Sequence, residues 1–321
     1  MGNGASGVLL TMLVLLGPPA WAQEYASRPI AIVVPYASGA TPDLTARLIA
    51  EQLAQNLKQP VRVENRPGAN GNIGAALVAR SAPDGYTLLL ADTALVTVNP
   101  YVYKGLSFNA EHDLAPVAGL LESSQRLLVN AELPVASLPE FIDFARKADP
   151  PLAYASIGIG SPFHLTMERL KRMAGIALLH VPYKGGVQAA AAAASGEVAV
   201  ILAGGSADPF LRTGKLRALA VTSAQRSRAQ PNLPALSEYF PGLQMSIWQG
   251  LFAPAGTPGP VLERLEQEIA RVLELPEVKA RLENGIDQHP MGLTRPQFVE
   301  RIRQDRERNR AIVDQLGLSI E

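Results

Sequence analysis

The stretch IAIVVPYASGATPDLTARLIAEQL, residues 30–53, carries the pattern that decides the fold. Five consecutive apolar residues, 30–34, predict a strand that is covered on both faces, as in a parallel sheet. Residues 43–58 place leucine and isoleucine at helical spacing and predict an amphipathic helix. The loop between them contains no His, Cys or Lys, so any binding by this loop falls to its backbone.

Similar strand and helix segments follow along the chain, and their alternation predicts α/β layers. The other predicted strands are 61–65, 86–91, 126–130, 152–156, 178–183, 198–203 and 216–223, with a strand and a loop in 246–260. The other predicted helices are 75–82, 137–148, 162–175, an alanine-rich helix within 187–196, and two final helices near 259–274 and 295–315. The last helix is heavily charged, so we expect a solvated outer helix.

These segments form two sets of similar build, which predicts two lobes. We expect the first lobe to be discontinuous, with residues 23–121 and 249–321, and the second lobe to hold residues 122–248. Two crossover segments would then join the lobes, which is the layout of a hinged binding protein with a cleft between its lobes.

The loop that follows the first strand has a counterpart in the second lobe. LAYASIGIGSPFHLTMERL, residues 152–170, also predicts a strand, a glycine loop and a helix. In both lobes a hydroxyl residue, Thr41 or Ser161, takes the predicted N-cap position, and a proline follows it. Each helix start then offers unpaired N–H groups at the carboxyl end of a strand, where open α/β sheets bind ligands and where anions are stabilised.

The first 22 residues, MGNGASGVLLTMLVLLGPPAWA, predict a secretory signal peptide. A short apolar core is broken by Gly-Pro-Pro, and Ala-Trp-Ala at residues 20–22 is a cleavage site. No Lys or Arg precedes the apolar core, and MGNGAS also fits the myristoylation pattern, but the cleavage site favours export. We therefore expect a soluble periplasmic protein that begins near Gln23.

Composition and missing motifs argue against several function classes. Lys plus Arg and Asp plus Glu both number 29, which argues against a nucleic-acid-binding protein, and the absence of Cys excludes thiolate chemistry. The chain has four histidines, and the spacing of Ser161 and His164 suggests a nucleophile and a base. However, the sequence has no G-x-S-x-G elbow, no phosphate-binding loop and no two histidines at the spacing of metal ligands. We expect no enzyme activity, no cofactor and no metal.

The residues quoted above, together with YASIGIGSPFHL, HVPYKGG, GKLRALAVTSAQRS and WQGLFAPAGTP, resemble the Bug-type extracytoplasmic solute receptors of tripartite tricarboxylate transporters. The resemblance covers essentially the whole chain after the signal peptide. It implies a type II two-lobe flytrap, a small carboxylate as ligand and membrane transporter subunits as partner. We also expect a monomer that binds no nucleic acid. A receptor that presents its ligand to a membrane sensor kinase is the alternative.

The resemblance also implies the residues of the ligand site. They come from the first loop, the second loop and three positions that line the cleft more loosely: Tyr36, Ser38, Gly39, Ala40, Thr41, Asp43; Ser156, Gly158, Ile159, Gly160, Ser161, His164; Tyr183, Lys184, Trp248. An acid such as Asp43 also stabilises the start of a helix and would repel a bound carboxylate. The family loop usually reads P-F-x-P-G-G-x-x-D, so Tyr36, Ser38, Ala40 and Pro42 depart from it and leave the carboxylate unidentified.

Overall fold

The computed structural model of the protein describes residues 25–227, 230–283 and 288–320. These residues form a two-lobed α/β fold, which confirms the predicted fold class. The predicted signal peptide lies outside the described residues. Within these ranges, no helix is both long enough and apolar enough to cross a membrane.

The first lobe is built on a six-stranded sheet. Its strands are β1 (Ile30–Val34), β2 (Val61–Asn65), β3 (Thr87–Asp92), β4 (Leu114–Ser124), β10 (Ser246–Pro254) and β11 (Gln288–Pro290), in the order β11-β4-β10-β3-β1-β2. β1 pairs in parallel with β2 and β3, whereas β10 is antiparallel to β3 and β4. The apolar run of β1 is buried from both sides, as predicted, because Ile32 and Val33 belong to different core clusters.

Helices cover both faces of this sheet. The helices of the first lobe are α1 (Thr41–Leu57), α2 (Asn72–Ala79), α3 (Thr93–Thr97), α4 (Asn99–Val102), α10 (Gly259–Glu274), α11 (Pro276–Leu282) and α12 (Arg295–Leu316). Leucines and isoleucines of α1 and α10 pack on one face, and α2, α3 and α12 pack on the other. The final helices of the chain therefore return to the first lobe.

The second lobe has a five-stranded sheet in the order β7-β6-β8-β5-β9. Its strands are β5 (Arg126–Asn130), β6 (Leu152–Ser156), β7 (Leu178–Pro182), β8 (Val200–Ala203) and β9 (Leu216–Val221), and its helices are α5 (Leu138–Lys147), α6 (Pro162–Ala174), α7 (Gly186–Ala194), α8 (Asp208–Arg212) and α9 (Leu236–Tyr239). α5 and α6 pack on one face, and the alanine-rich α7 packs closely on the other.

The two crossovers between the lobes are tied together at Thr222. Its hydroxyl accepts a hydrogen bond from the Gln125 amide at 2.8 Å and donates to the Met245 carbonyl at 2.7 Å. Backbone hydrogen bonds join the same three residues. The predicted division after residues 121 and 248 falls inside β4 and β10, and as a division into lobes it stays a prediction.

Three local predictions need correction. α2 begins at Asn72 rather than near residue 75, because residues 68–71 have four successive positive φ values that end just before it. The N-cap of α1 is Ala40 and not Thr41, and no side chain caps this helix. α12 is charged but not simply solvated, because Phe298 and Asp305 on it are fully buried.

Candidate functional site

A cavity of about 560 Å³ lies between the two lobes, at the carboxyl ends of β1, β3, β6 and β7. From the first lobe and β10 its lining includes Tyr36, Asn70, Asp92, Ala94, Tyr103 and Ile247. From the second lobe it includes Ile157, Gly158, Ile159, Ser161, Pro162, Phe163, Pro182 and Lys184, and Ile320 near the C-terminus completes it. This is the position at which open α/β sheets bind their ligands.

The second loop enters the cavity with a helix start, as its sequence predicts. Ser161 is the N-cap of α6, its hydroxyl accepts a hydrogen bond from the His164 amide, and Pro162 follows at the first helical position. Gly158 and Gly160 have φ values of 124° and 76°, which favour glycine. Between them, Ile159 is 52% exposed, and Ile157 before them is also exposed, so the loop presents its backbone and two apolar side chains to the cavity.

His164 supports this loop from behind instead of lining the cavity. Its ring is buried, and Nδ1 accepts a hydrogen bond from the Gly160 amide at 3.1 Å. The ring stacks on His180 with centroids 4.1 Å apart, and His180 Nε2 lies 2.6 Å from the Ser156 hydroxyl. Burial lowers the pKa of His164, and it lowers the pKa of His180 to about 4. Both rings are therefore neutral at pH 7.

The first loop is supported in the same way, by Asp43. Its carboxylate is buried and accepts hydrogen bonds from the Gly39 amide at 2.8 Å and from Asn65 Nδ2 at 2.9 Å. Arg47 Nε donates at 2.9 Å, and this bond is the largest cause that holds the pKa of Asp43 well below its usual range. In each lobe, a glycine amide thus donates to the side chain four residues later, which is Asp43 in one and His164 in the other.

The structure brings five of the predicted site residues together around the cavity: Tyr36, Gly158, Ile159, Ser161 and Lys184. The others are outside its lining. Ser38, Gly39, Ala40 and Thr41 lie at the exposed or half-exposed start of α1; Asp43, Ser156, Gly160 and His164 belong to the supporting contacts of the loops.

Two residues expected to line the cleft point elsewhere. Trp248 is fully buried between β10 and α12, where Nε1 donates to Asp305 at 2.7 Å and the ring meets Phe298 edge-on. Trp248 does not line the cavity, because Ile247 occupies the cleft face of β10 and the next side chain points to the opposite face. Tyr183 donates its hydroxyl to Glu197 at 2.7 Å and packs beside the α7 cluster.

Sequence reasoning missed Asn70, Asp92 and Tyr103. Asp92 is the last residue of β3 and caps α3 by accepting a hydrogen bond from the Leu95 amide at 3.0 Å. The Tyr36 hydroxyl donates to its other oxygen at 2.6 Å, while burial raises the pKa of Asp92. An acid at the end of a strand that leads to the cleft is the signal that could have identified it. In the described part of the chain, no group of His, Asp and Glu side chains could hold a metal ion.

Comparisons with known proteins give a consistent result. Residues 45–318 match the model of a family described as "Tripartite tricarboxylate transporter family receptor". A UPF0065 protein of Bordetella bronchiseptica is 36% identical over 283 residues, which are 87% of this chain and 84% of that protein.

Solved structures agree. Rpa4515 of R. palustris with adipate has a TM-score of 0.83 and 30% identity, and the match covers 92% of this chain and 100% of that one. MatC from Rhodopseudomonas palustris with bound malate has a TM-score of 0.77 and 30% identity, over 89% and 99% of the two chains.

Proposed function

The chain belongs to the family of tripartite tricarboxylate transporter receptors, and we propose that it captures a small carboxylate in the cleft between its lobes and delivers it to a membrane transporter. In this role the exported protein works in the periplasm and carries out no reaction. The adipate and malate bound by two similar proteins support a carboxylate as ligand.

The observation that carries this proposal is the second loop. α6 spans 13 residues and has no acidic side chain in its first turn, so the partial positive charge at its start is not neutralised. Gly158 and Ile159 hold the backbone against the cavity, and Lys184 lies in the same wall. Within the described loop, the amides of Ile159 and Phe163 have no acceptor, so a carboxylate placed here meets two amide donors at a helix start and a cation nearby, which favour an anion.

Delivery depends on closure of the lobes around the ligand. A ligand that contacts both Tyr36 and the second loop interacts with both lobes only when they are close, so it favours the closed state. The crossovers around Thr222 are the segments about which the lobes would rotate. The membrane partner would then recognise the closed shape.

A charge placed in the second loop tests the site. Ile159→Glu brings a carboxylate to an exposed position of the cavity wall and should weaken the binding of a carboxylate at least about tenfold by repulsion. Leu179→Glu is the matched control, since Leu179 is 62% exposed on β7 and does not line the cavity. Isothermal titration with a panel of carboxylates would measure both. Equal affinities in the two variants would contradict the site.

Delivery needs a separate experiment in the native host. Deletion of the gene should abolish uptake of the labelled ligand, and expression of the intact chain should restore it. If uptake persists and only the ligand-dependent induction of genes is lost, the receptor serves a sensor kinase instead.

A further inference from the structure

Among the described residues that line the cleft cavity, two carry a charge, and they come from opposite walls. Lys184 belongs to the second lobe, and Asp92 belongs to the first. A site for a simple anion has no need of a carboxylate, which repels the ligand. The presence of Asp92 in the cavity therefore carries information about the ligand beyond its carboxylate group.

Asp92 has hydrogen bonds but no counter-charge. It accepts from the Tyr36 hydroxyl at one oxygen and from the Leu95 amide at the other, and the Ala94 amide also stabilises its charged form. Within the described ranges, no Lys, Arg or His forms an ion pair with it. A half-buried carboxylate without a cation is unfavourable, and burial raises its pKa. A ligand cation would supply the missing partner.

The other polar side chains of this wall are those of Tyr36, Asn70 and Tyr103, and none of them is a cation. The Tyr36 hydroxyl hydrogen is used by Asp92, and Asn70 Nδ2 donates to Asn99 at 2.9 Å. The oxygen of Tyr36 and the amide oxygen of Asn70 remain as acceptors, and the second Nδ2 hydrogen of Asn70 and the hydroxyl of Tyr103 remain as donors. Asp92 is therefore the one charged side chain among the described lining residues of the first-lobe wall.

In the opposite wall, Gly158, Gly160 and Ser161 donate their amide hydrogens within the loop. The described donors that remain there are the amides of Ile159 and Phe163 and the ammonium group of Lys184. Most of the remaining lining is apolar, from Ala94, Ile157, Phe163 and Ile247. We infer that the ligand is an amino acid in its zwitterionic form, with its carboxylate on the second loop, its ammonium group on Asp92 and its side chain against the apolar lining. This inference rests on the proposed function, because it assumes that the cleft binds a carboxylate.

Matched pairs of ligands separate this inference from a structural role of Asp92. The twenty common amino acids, together with β-alanine and γ-aminobutyrate, are each compared with the acid that lacks the amino group, such as leucine with 4-methylpentanoate and glutamate with glutarate. Isothermal titration of the processed protein should find an amino acid that binds about a hundredfold more tightly than its partner acid.

The variant Asp92→Asn keeps the shape of the side chain and an oxygen that can cap α3. It should lose at least about tenfold in affinity for the amino acid, and it should lose much less for the partner acid. Asp84→Asn is the control: Asp84 precedes the other end of β3, and it binds Arg28 and the Tyr86 amide away from the cavity.

The outcomes distinguish the two levels of the proposal. If wild-type protein binds only acids without an amino group, or if Asp92→Asn keeps full affinity for the amino acid, the zwitterion inference is overturned while the carboxylate receptor stands. If neither member of any pair binds, and Ile159→Glu changes no affinity for any carboxylate, both the inference and the proposed function fail.

Discussion

Replacing Asp43 with alanine should destabilise the first lobe, because this carboxylate fastens the loop before α1. Asp43 is 1% exposed and accepts hydrogen bonds from the Gly39 amide, Asn65 Nδ2 and Arg47 Nε. All three donors lose their acceptor when the carboxylate is removed. The residue was also a candidate ligand contact, so the variant decides between two roles.

The magnitude follows from the donors on Gly39 and Asn65. A hydrogen bond to a charged group contributes about 1.5–3 kcal/mol. Water can replace part of the loss at Gly39 and Asn65, because neither residue is fully buried, so we expect a decrease of about 2–4 kcal/mol in the free energy of unfolding. Arg47 is half exposed and returns to water, so it adds little.

Guanidinium unfolding of the processed protein at pH 7 measures this change. Glu51→Ala is a control on the same helix, since Glu51 is 59% exposed and its ion pair with Arg281 is 3.7 Å long; it should change stability by less than about 0.5 kcal/mol. The difference between wild type and Asp43→Ala should shrink in acid. The lowered pKa of Asp43 gives stability that is present above the unfolded value of about 3.9 and is lost as the pH falls below it.

A stability change as small as that of Glu51→Ala would refute the supporting role. If the folded variant also lost all affinity for the ligand, Asp43 would be a ligand contact. If the variant is destabilised as expected and saturating ligand restores part of the stability, the loop argument stands, since the ligand still binds the second loop.

Two further predictions concern the buried support of each lobe. His180→Gln should reduce the loss of stability in acid. The pKa of His180 is lowered from 6.5 to about 4, so the unfolded state takes up a proton first, and the stability of the wild type falls as the pH drops between these values. Urea unfolding at pH 7 and pH 5 measures this loss, and an equal loss in wild type and variant would contradict the prediction. Trp248→Phe removes the Nε1 donor from buried Asp305 and should lower the free energy of unfolding by about 1–3 kcal/mol, while ligand affinity stays unchanged. A tenfold loss of ligand affinity would instead indicate that Trp248 contacts the ligand.

Most strands could be predicted because their apolar runs are continuous and buried from both sides, as in β1, β5 and β8. β4 was missed for a physical reason. It contains Pro116 and Gly119, both poor strand residues, and irregularities in its register with β10 interrupt the alternation that a sequence pattern relies on. Its partners across the sheet stabilise it, and these are distant in sequence.

The candidate site was predicted where local chemistry determines it and missed where the tertiary structure does. Ser161 followed by proline fixes the start of α6, and the helix begins there. At α1 the same reasoning placed the N-cap one residue too late, because Asp43 holds Gly39 and the cap falls on Ala40. Trp248 shows why the cleft residues of a strand are hard to predict. Successive side chains of a strand point to opposite faces, so an error of one residue exchanges a cleft position for a core position.

The two loops have similar backbones, but the side chains that hold them differ in charge. This difference makes the two sides of the cleft electrostatically unequal. The glycine amide of the first loop is held by the ionised Asp43, and that of the second by the neutral His164. Asp43 also opposes the partial positive charge at the start of α1, whereas α6 has no acid in its first turn. We therefore expect a carboxylate to be more stable at the second loop than at the first. Asp92 in the first-lobe wall adds to this polarity, so the proposed zwitterion would bind in one orientation.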